Sequence, residues 1–452
     1  MENDLGRDPI RRLVLRIAIP SMLAQFVSVL YSVVDRMYIG NIPEVGNLAL
    51  AGAGVCGPIV TMIGSVAFLV GVGGSPLVSI RMGAGDNEGA KRILANCFVL
   101  LVGLAAALMA LAYATRRPVL MLFGASEASL PYAETYYSVY LTGTLFALLS
   151  TGMNHFIICQ GFAKKGMLSV MLGAVLNIVL DPVFIFVLDM DVAGAAVATV
   201  LSQLASCIFV LVFLFGRQPP IRITFGGYSA RIMGRVMATG FAPFIIIAFD
   251  NVMIIALNSL LQKHGGAGQG DLLVAAATIA QSFMLVVTMP LGGITGGTGS
   301  ILGYNYGAGQ PKRILEAQKF ILLLCLGYTT LLFLIGQGVP GLFVSIFSSD
   351  PQVGELAVRA IRIYTLGVIP LAVQYTVIDG FTGMGMMQYS LPLSFFRKAI
   401  YFIPLFVLPM YFGAMSTFVA EPISDFVAPV VSAFVYWRRI RYVVGLKPKK
   451  AQ

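Results

Sequence analysis

Hydrophobic positions in this chain fall in long blocks, separated by short polar stretches. Most blocks exceed the ~18 apolar residues that mark a membrane-crossing helix. They are far longer than the roughly 10-residue strands of a membrane β-barrel. Twelve spans are read, at 13–39, 48–80, 93–114, 135–160, 168–188, 193–215, 236–262, 272–302, 315–336, 359–385, 391–413 and 419–437. The second and eighth are longer than the ~20–25 residues a crossing needs, which predicts a tilt, a kink or extension past the bilayer. The charged connector 216–235 divides the spans into two sets of six. The predicted organisation is an N-lobe over 1–215, a linker over 216–235, a C-lobe over 236–437 and a basic tail over 438–452.

Composition agrees with this pattern. Hydrophobic residues make up 58% of the 452 positions, and Asp, Glu, Lys and Arg only 11%, against about 25% charged residues in a soluble domain. An ordinary cytosolic enzyme, a nucleic-acid binder and a disordered chain are excluded. The net charge of +10 is better explained by topology than by an acidic partner. Segments 1–12, 81–92, 163–166, 216–235, 303–314 and the tail from 438 carry 20 Lys and Arg, while the segments on the opposite side carry 3. That asymmetry puts both termini in the cytoplasm. Arg116 and Arg117 are the exception, in a segment expected to lie on the outer surface. The start, MENDLGRDPIRR, reads as a cytoplasmic leader rather than a cleaved signal peptide. The five cysteines form no CxxC pair and read as small buried hydrophobes.

The two halves repeat. Gly83-Ala84-Gly85-Asp86 after the second span matches Gly307-Ala308-Gly309-Gln310 after the eighth, at an offset of 224. Lys91-Arg92-Ile93-Leu94 matches Lys312-Arg313-Ile314-Leu315 at an offset of 221, and Pro20 matches Pro243 at 223. An even number of spans per half keeps their topology the same. The repeats are then related by an axis along the membrane normal, with a central site between them. The expected fold is all-α and integral to the membrane, with twelve transmembrane helices in two pseudo-symmetric six-helix bundles.

An ionisable residue at bilayer depth costs at least ~2.5–3.5 kcal/mol on insertion scales, so each one calls for an explanation. Asp35, Asp181, Asp250, Asp379 and Asp425 lie inside spans. Asp35, Asp181 and Thr199 sit at a matched depth, roughly 8–12 Å below the outer boundary at ~1.5 Å per helical residue. Tyr31 precedes Asp35 by one helical turn, and Asn177 precedes Asp181 likewise. If the first, fifth and sixth spans are adjacent, Tyr31, Asp35, Asn177, Asp181 and Thr199 converge. Two carboxylates in a partly dry pocket repel, which favours uptake of one proton by the pair. The same oxygens also suit sodium, and this chemistry leaves both ions open, beside plain interhelical hydrogen bonding. Asn154, Asp250, Asn258, Gln281 and Gln374 are candidates for a substrate site or a second polar site. No metal site beyond sodium at Asp35, Asn177, Asp181 and Thr199 is expected, and no cofactor.

Several of these residues stand in recognisable motifs. Val34-Asp35-Arg36-Met37-Tyr38-Ile39-Gly40, Gly83-Ala84-Gly85-Asp86, Asn177-Ile178-Val179-Leu180-Asp181-Pro182, Gly194-Ala195-Ala196-Val197-Ala198-Thr199 and Tyr306-Gly307-Ala308-Gly309 resemble signatures of the multidrug and toxic compound extrusion transporters. Glu421-Pro422-Ile423-Ser424-Asp425 resembles their bacterial branch of DinF- and MepA-like exporters. The resemblance covers nearly the whole chain. It implies two six-helix lobes in a V, alternating access, and export of cationic amphipathic drugs in exchange for protons or sodium. It also implies an N-lobe ion site at Asp35, Asn177, Asp181 and Thr199, with Tyr31 nearby. The tenth span departs from the pattern, with Leu371 and Gln374 where some members carry Asp and Gln.

The expected function is therefore a secondary active antiporter in a bacterial inner membrane, acting as a monomer on small organic cations. A lipid-linked oligosaccharide flippase of the same superfamily is the nearest alternative. Its anionic cargo would call on Arg36, Arg359, Arg362, Arg397 or Lys398, which are read as mostly near span ends. A major-facilitator transporter would share the span count but not the Asn177–Pro182 and Glu421–Asp425 motifs. An intramembrane enzyme lacks support, since neither HExxH nor GxSxG occurs.

Overall fold

The computed structural model describes residues 3–40, 42, 46–123, 127, 129–265, 269–347 and 350–445. Among these, fifteen α-helices follow one another and no strand occurs. The first seven are α1 (Ile10–Gly40), α2 (Gly46–Gly83), α3 (Asn87–Leu122), α4 (Leu130–Thr142), α5 (Thr144–Ile158), α6 (Ala163–Pro182) and α7 (Asp191–Phe215). Then come α8 (Ala230–Gly265), α9 (Gln269–Gly307), α10 (Pro311–Gly338), the short α11 (Pro340–Phe347) and α12 (Pro351–Thr365). The last three are α13 (Val368–Gly383), α14 (Met387–Phe412) and α15 (Ala420–Val443). A π-helical turn over Val183–Val187 extends α6, and a 3-10 turn over Ala414–Val419 leads into α15. The tail residues 446–452 and parts of the loops 40–47 and 263–271 lie outside the described residues.

Ten helices or helical segments are long and apolar enough to cross a membrane. Two further crossings are the bent pairs α4–α5 and α12–α13, with bends of 56° and 50°. Counting each pair once gives twelve, the number read from the sequence. The second and eighth spans are 38 and 39 residues long, consistent with their expected overrun. Helices are the natural answer here, because lipid offers no partner for a backbone N–H or C=O.

Side chains are distributed accordingly. Leu168, Leu172, Val175 and Val179 make an exposed apolar stripe on α6, and Val427, Val430, Phe434 and Trp437 make one on α15. The interior holds polar groups such as Asn177, Asp181, Ser202, Ser424, Asp425 and Ser432. The five cysteines are free and buried.

By packing, the chain divides into two compact units, Met1–Arg7 with Ile19–Ile247, and Asp8–Ala18 with Ala248–Gln452. The division falls inside α8 rather than at the connector 216–235. The reason is that the connector is fastened to the first unit. Gln160 Oε1 accepts the Ile221 N–H at 2.9 Å, Asn96 Oδ1 accepts the Ser229 N–H at 2.8 Å, and Asn96 Nδ2 donates to the Gly227 carbonyl at 3.1 Å. The first half of α8 also packs tightly on α2. A Cβ at Gly240 would collide with the Leu69 carbonyl, and one at Gly73 with the Val236 carbonyl. In the second unit, Arg313 Nη2 donates to the Asp8 carbonyl at 2.9 Å and ties down residues 8–18.

Three local features go beyond the span pattern. Arg116 and Arg117 continue α3, whose helix runs on to Leu122, and Arg116 pairs with Glu134 at 3.0 Å. The fourth span breaks at Gly143, and the tenth just before Gly367. Both glycines are needed for packing: a Cβ would meet Val200 Cγ2 at 2.7 Å and Asp425 Cβ at 2.5 Å respectively.

The repeat extends to the backbone. Residues with positive φ pair up between the halves: Gly85 (78°) with Gly309 (66°), Gly161 (91°) with Gly385 (72°), and Asp189 (52°) with Gly413 (78°). Each pair is 224 residues apart, and so are the break positions Gly143 and Gly367. The Gly-Ala-Gly motifs are helix punctuation. Gly85 takes the left-handed conformation that glycine adopts without penalty, and Asp86 then caps α3 by accepting the Gly89 N–H at 2.8 Å. Arg81 adds a second contact to Asp86 at 2.7 Å.

Candidate functional site

The first unit brings the predicted polar set together. Asn177 and Asp181 face inward one turn apart on α6, and Thr199 meets them from α7. Asn177 Nδ2 donates to Asp181 Oδ1 at 3.2 Å and to Thr199 Oγ1 at 3.3 Å. The Thr199 hydroxyl in turn donates to the Ala195 carbonyl at 3.0 Å. Asp181 is completely buried, and Asn177 and Thr199 are buried as well. From α1, the Asp35 carboxyl lies close enough to Asp181 for the two acids to interact electrostatically. Two acids this close in a dry setting repel when both are ionised, which favours one positive charge held between them. Tyr31 lies within electrostatic reach of both.

Local sequence explains the position of Asp181. Pro182 follows it, lacks an N–H and so cannot bond the Ile178 carbonyl. The chain then widens into the π-helical turn, closed by the Leu188 N–H on the Val183 carbonyl at 2.9 Å. Gly194, at the start of α7, lets the two segments meet: a Cβ there would lie 2.7 Å from the Phe184 carbonyl carbon. The acid therefore sits where the regular helix ends, between two closely packed segments.

On α6, Asn177 Oδ1 and Asp181 Oδ2 are buried without a hydrogen bond. A buried acceptor left unmade costs about 1–3 kcal/mol, so the pocket favours a positive guest. Its unmatched atoms are oxygens, which suit a proton or a hard monovalent cation. Among the described residues no group of three or more His, Cys, Asp or Glu could hold a metal ion.

The sequence reading missed the aromatic wall beside these acids. Tyr136 and Tyr140 on α4 stack with centroids 6.5 Å apart. Tyr136 is within electrostatic reach of Asp35 and Tyr31, and Tyr140 lies close to the Gln203 side chain on α7. The available signal was two tyrosines four residues apart in a span, which places them on one helix face.

The other candidates are scattered. Asn154 lies in the first unit, where its Oδ1 accepts from Ser169 Oγ at 3.2 Å. In the second unit, Gln374 is satisfied between helices, accepting from Ser432 Oγ at 2.6 Å and donating to the Leu393 carbonyl at 3.3 Å. Asn258 Oδ1 is buried without a partner, and Gln281 is half-buried. Asp379 accepts from Thr295 Oγ1 at 2.5 Å. Asp250 on α8 pairs with Lys398 on α14.

Arg397, next to Lys398, is held by two acids of α15. Its Nε and Nη2 donate to Asp425 Oδ1 at 2.9 and 2.8 Å, and Nη2 also donates to Glu421 Oε1 at 2.9 Å. Arg397 and Lys398 are not near a span end. They lie ten and eleven residues into α14, roughly 15 Å along its axis, because the helix begins at Met387. Both cations are internally matched, as charges at this depth must be. The side chain of Arg36 lies outside the described residues.

Comparisons with known proteins agree with this architecture. The sequence model of the family described as MatE matches residues 20–183 and 247–408. A relative called FAD transporter, from Shewanella oneidensis, is 26% identical over 441 residues, covering 95% of each chain. Another, multidrug export protein MepA from Staphylococcus aureus, is 22% identical and covers 97% of this chain and 96% of its own. The fold is similar to that of a crystallised MATE protein in its straight conformation, with a TM-score of 0.90, 24% identity, and 97% and 98% of the two chains covered. The matched residues take in both halves of the repeat, and this chain belongs to the MATE family of membrane transporters.

Proposed function

We propose that the protein exports cationic, amphipathic organic compounds by alternating access, driven by inward movement of H+ or Na+. The observation that carries this reading is the buried Asn177–Asp181–Thr199 cluster, with Asp35 beside it and Asn177 Oδ1 and Asp181 Oδ2 buried without a donor. Such a cluster binds one positive charge well and is costly to leave empty in low dielectric. Driving a cation outward against an inside-negative potential costs about 2.3 kcal/mol per charge per 100 mV, so a coupling ion is required. Filling the Asp35, Asn177, Asp181 and Thr199 site would shift α1 and α6 relative to α7 and release the drug. The relative named as a multidrug exporter supports this cargo class. The setting we infer is a bacterial inner membrane, with both termini in the cytoplasm and one chain as the working unit.

A second reading, export of an organic anion, is favoured by the relative named as an FAD transporter. It would require Lys398 to leave Asp250 and face the cargo. One experiment separates the readings: efflux from reconstituted vesicles of a cationic dye and of FAD, with proton and sodium gradients imposed separately. We expect dye efflux under one gradient and none for Asp35→Asn, with folding intact. Gradient-driven dye efflux retained in Asp35→Asn would overturn the coupling role. FAD efflux without dye efflux would favour the anion reading.

A further inference from the structure

The outer face of the first unit carries a groove of about 520 Å³ between α6 and α7. Its walls are apolar over most of their length, with Leu172, Ile208 and Val212 among the lining residues. Leu172, Ile208 and Val212 also belong to the exposed apolar surface, so the groove opens toward the lipid. One end is different. Lys165, in the first turn of α6, and Arg217, just past the end of α7, both line it, and no acidic residue does. Among the described residues neither makes an ion pair with a carboxylate.

The groove floor is fixed. Phe213 packs edge-to-face on Phe162 with ring centroids 5.2 Å apart. Deeper along the crossing, Ser206 Oγ donates to the Ser169 carbonyl at 2.8 Å, and Gly173 allows the approach, since a Cβ there would lie 2.5 Å from Ser206 Oγ. The two helices are thus held together behind the groove while their outer faces leave it open. Leu172 is seven residues from Lys165, which places it roughly 10 Å deeper along α6. Two unpaired cations lie at one end, and an apolar channel runs from them toward the bilayer interior.

We propose that this groove binds an anionic phospholipid, with its phosphate between Lys165 and Arg217 and an acyl chain lying along Leu172, Ile208 and Val212. Both basic residues belong to the Lys- and Arg-rich loops, which face the cytoplasm in the orientation the charge asymmetry gives. Basic pockets between transmembrane helices on that side suit lipid head groups, and each nearby Lys or Arg adds about 1 kcal/mol. A zwitterionic lipid would fit the channel but would gain little from the two cations.

The test uses the full-length protein in nanodiscs of phosphatidylcholine with a minor share of phosphatidylglycerol. Lipid retained after mild delipidation is read by native mass spectrometry. Wild type should keep phosphatidylglycerol in preference to phosphatidylcholine. The double substitution Lys165→Gln with Arg217→Gln should weaken that retention about ten- to thirty-fold. Val212→Trp fills the channel at an exposed position and leaves the charges in place; it should lower retention too. A control lacking Arg222 and Lys319, exposed cations that do not line the groove, should match wild type. Equal retention of both lipids by wild type, or unchanged phosphatidylglycerol retention in the double variant, would overturn the proposal. So would a loss in the control as large as in the double variant.

Discussion

Arg397 shows how one residue can be expensive to remove from the interior of a membrane protein. Its guanidinium bonds Asp425, which is fully buried, and Glu421. Substitution to Met would leave Asp425 charged and unmatched, a situation that costs about 3–5 kcal/mol when one partner of a buried pair is lost. The expected outcome is a markedly lower unfolding temperature in detergent for Arg397→Met. Replacing Asp425 by Leu at the same time should restore most of it, because the uncompensated charge is gone. The sequence marked Asp425 as an intramembrane acid, but not its partner. Pairing across helices 28 residues apart depends on which faces meet, and that is decided by packing. By contrast, the convergence of Asn177, Asp181 and Thr199 was readable, because depth along a helix is nearly proportional to residue number.

Among elements, the informative cases are helix ends and breaks. Asp86 ends one helix and begins the next. The Gly89 N–H first, and the Arg81 guanidinium after it, hold its carboxyl below the usual carboxylate range. A depressed folded pKa means stabilisation that is present above the unfolded value near 3.8 and lost as pH falls through the folded one. Asn caps a helix about as well but does not titrate. The stability advantage of wild type over Asp86→Asn should therefore shrink between pH 5 and pH 3 in thermal unfolding, and an unchanged difference would contradict it. Twelve spans were legible because hydropathy counts residues. The bends at Gly143 and Gly367 were not, because an apolar window reads the same through a bend. Each break is set by what packs on it, Val200 in one case and Asp425 in the other.

Across the whole molecule, the repeat sets the positions of the turns. Gly85 and Gly309 hold corresponding turns, and neither has a heavy atom within 4 Å of where a Cβ would lie. Alanine at either site is therefore opposed only by backbone conformation, a cost of about 1–2 kcal/mol. Gly85→Ala and Gly309→Ala should lower stability by similar amounts, measured as paired unfolding midpoints. A loss at only one site would show that the turns are not equivalent. The sequence revealed this repeat through short loop motifs. It could not reveal that the connector 216–229 packs as part of the first unit, since Gln160 and Asn96 reach it from 61 and 133 residues away.

The spacing of 224 that holds from Gly161 and Gly385 to Asp189 and Gly413 also pairs Gly173 with Arg397. Seen as the product of a duplicated ancestor, the two copies have specialised in opposite directions at one position. In the first, a bare backbone lets Ser206 come close, and a Cβ there would lie 2.5 Å from Ser206 Oγ. In the second, the longest cation available anchors two acids of the neighbouring helix. The two solutions are not interchangeable: a side chain at 173 would displace the Ser206 hydroxyl, and a glycine at 397 abandons Asp425. A chain built from two copies of the first half would keep its crossings and turns yet lose the buried cation that matches Asp425 in the second.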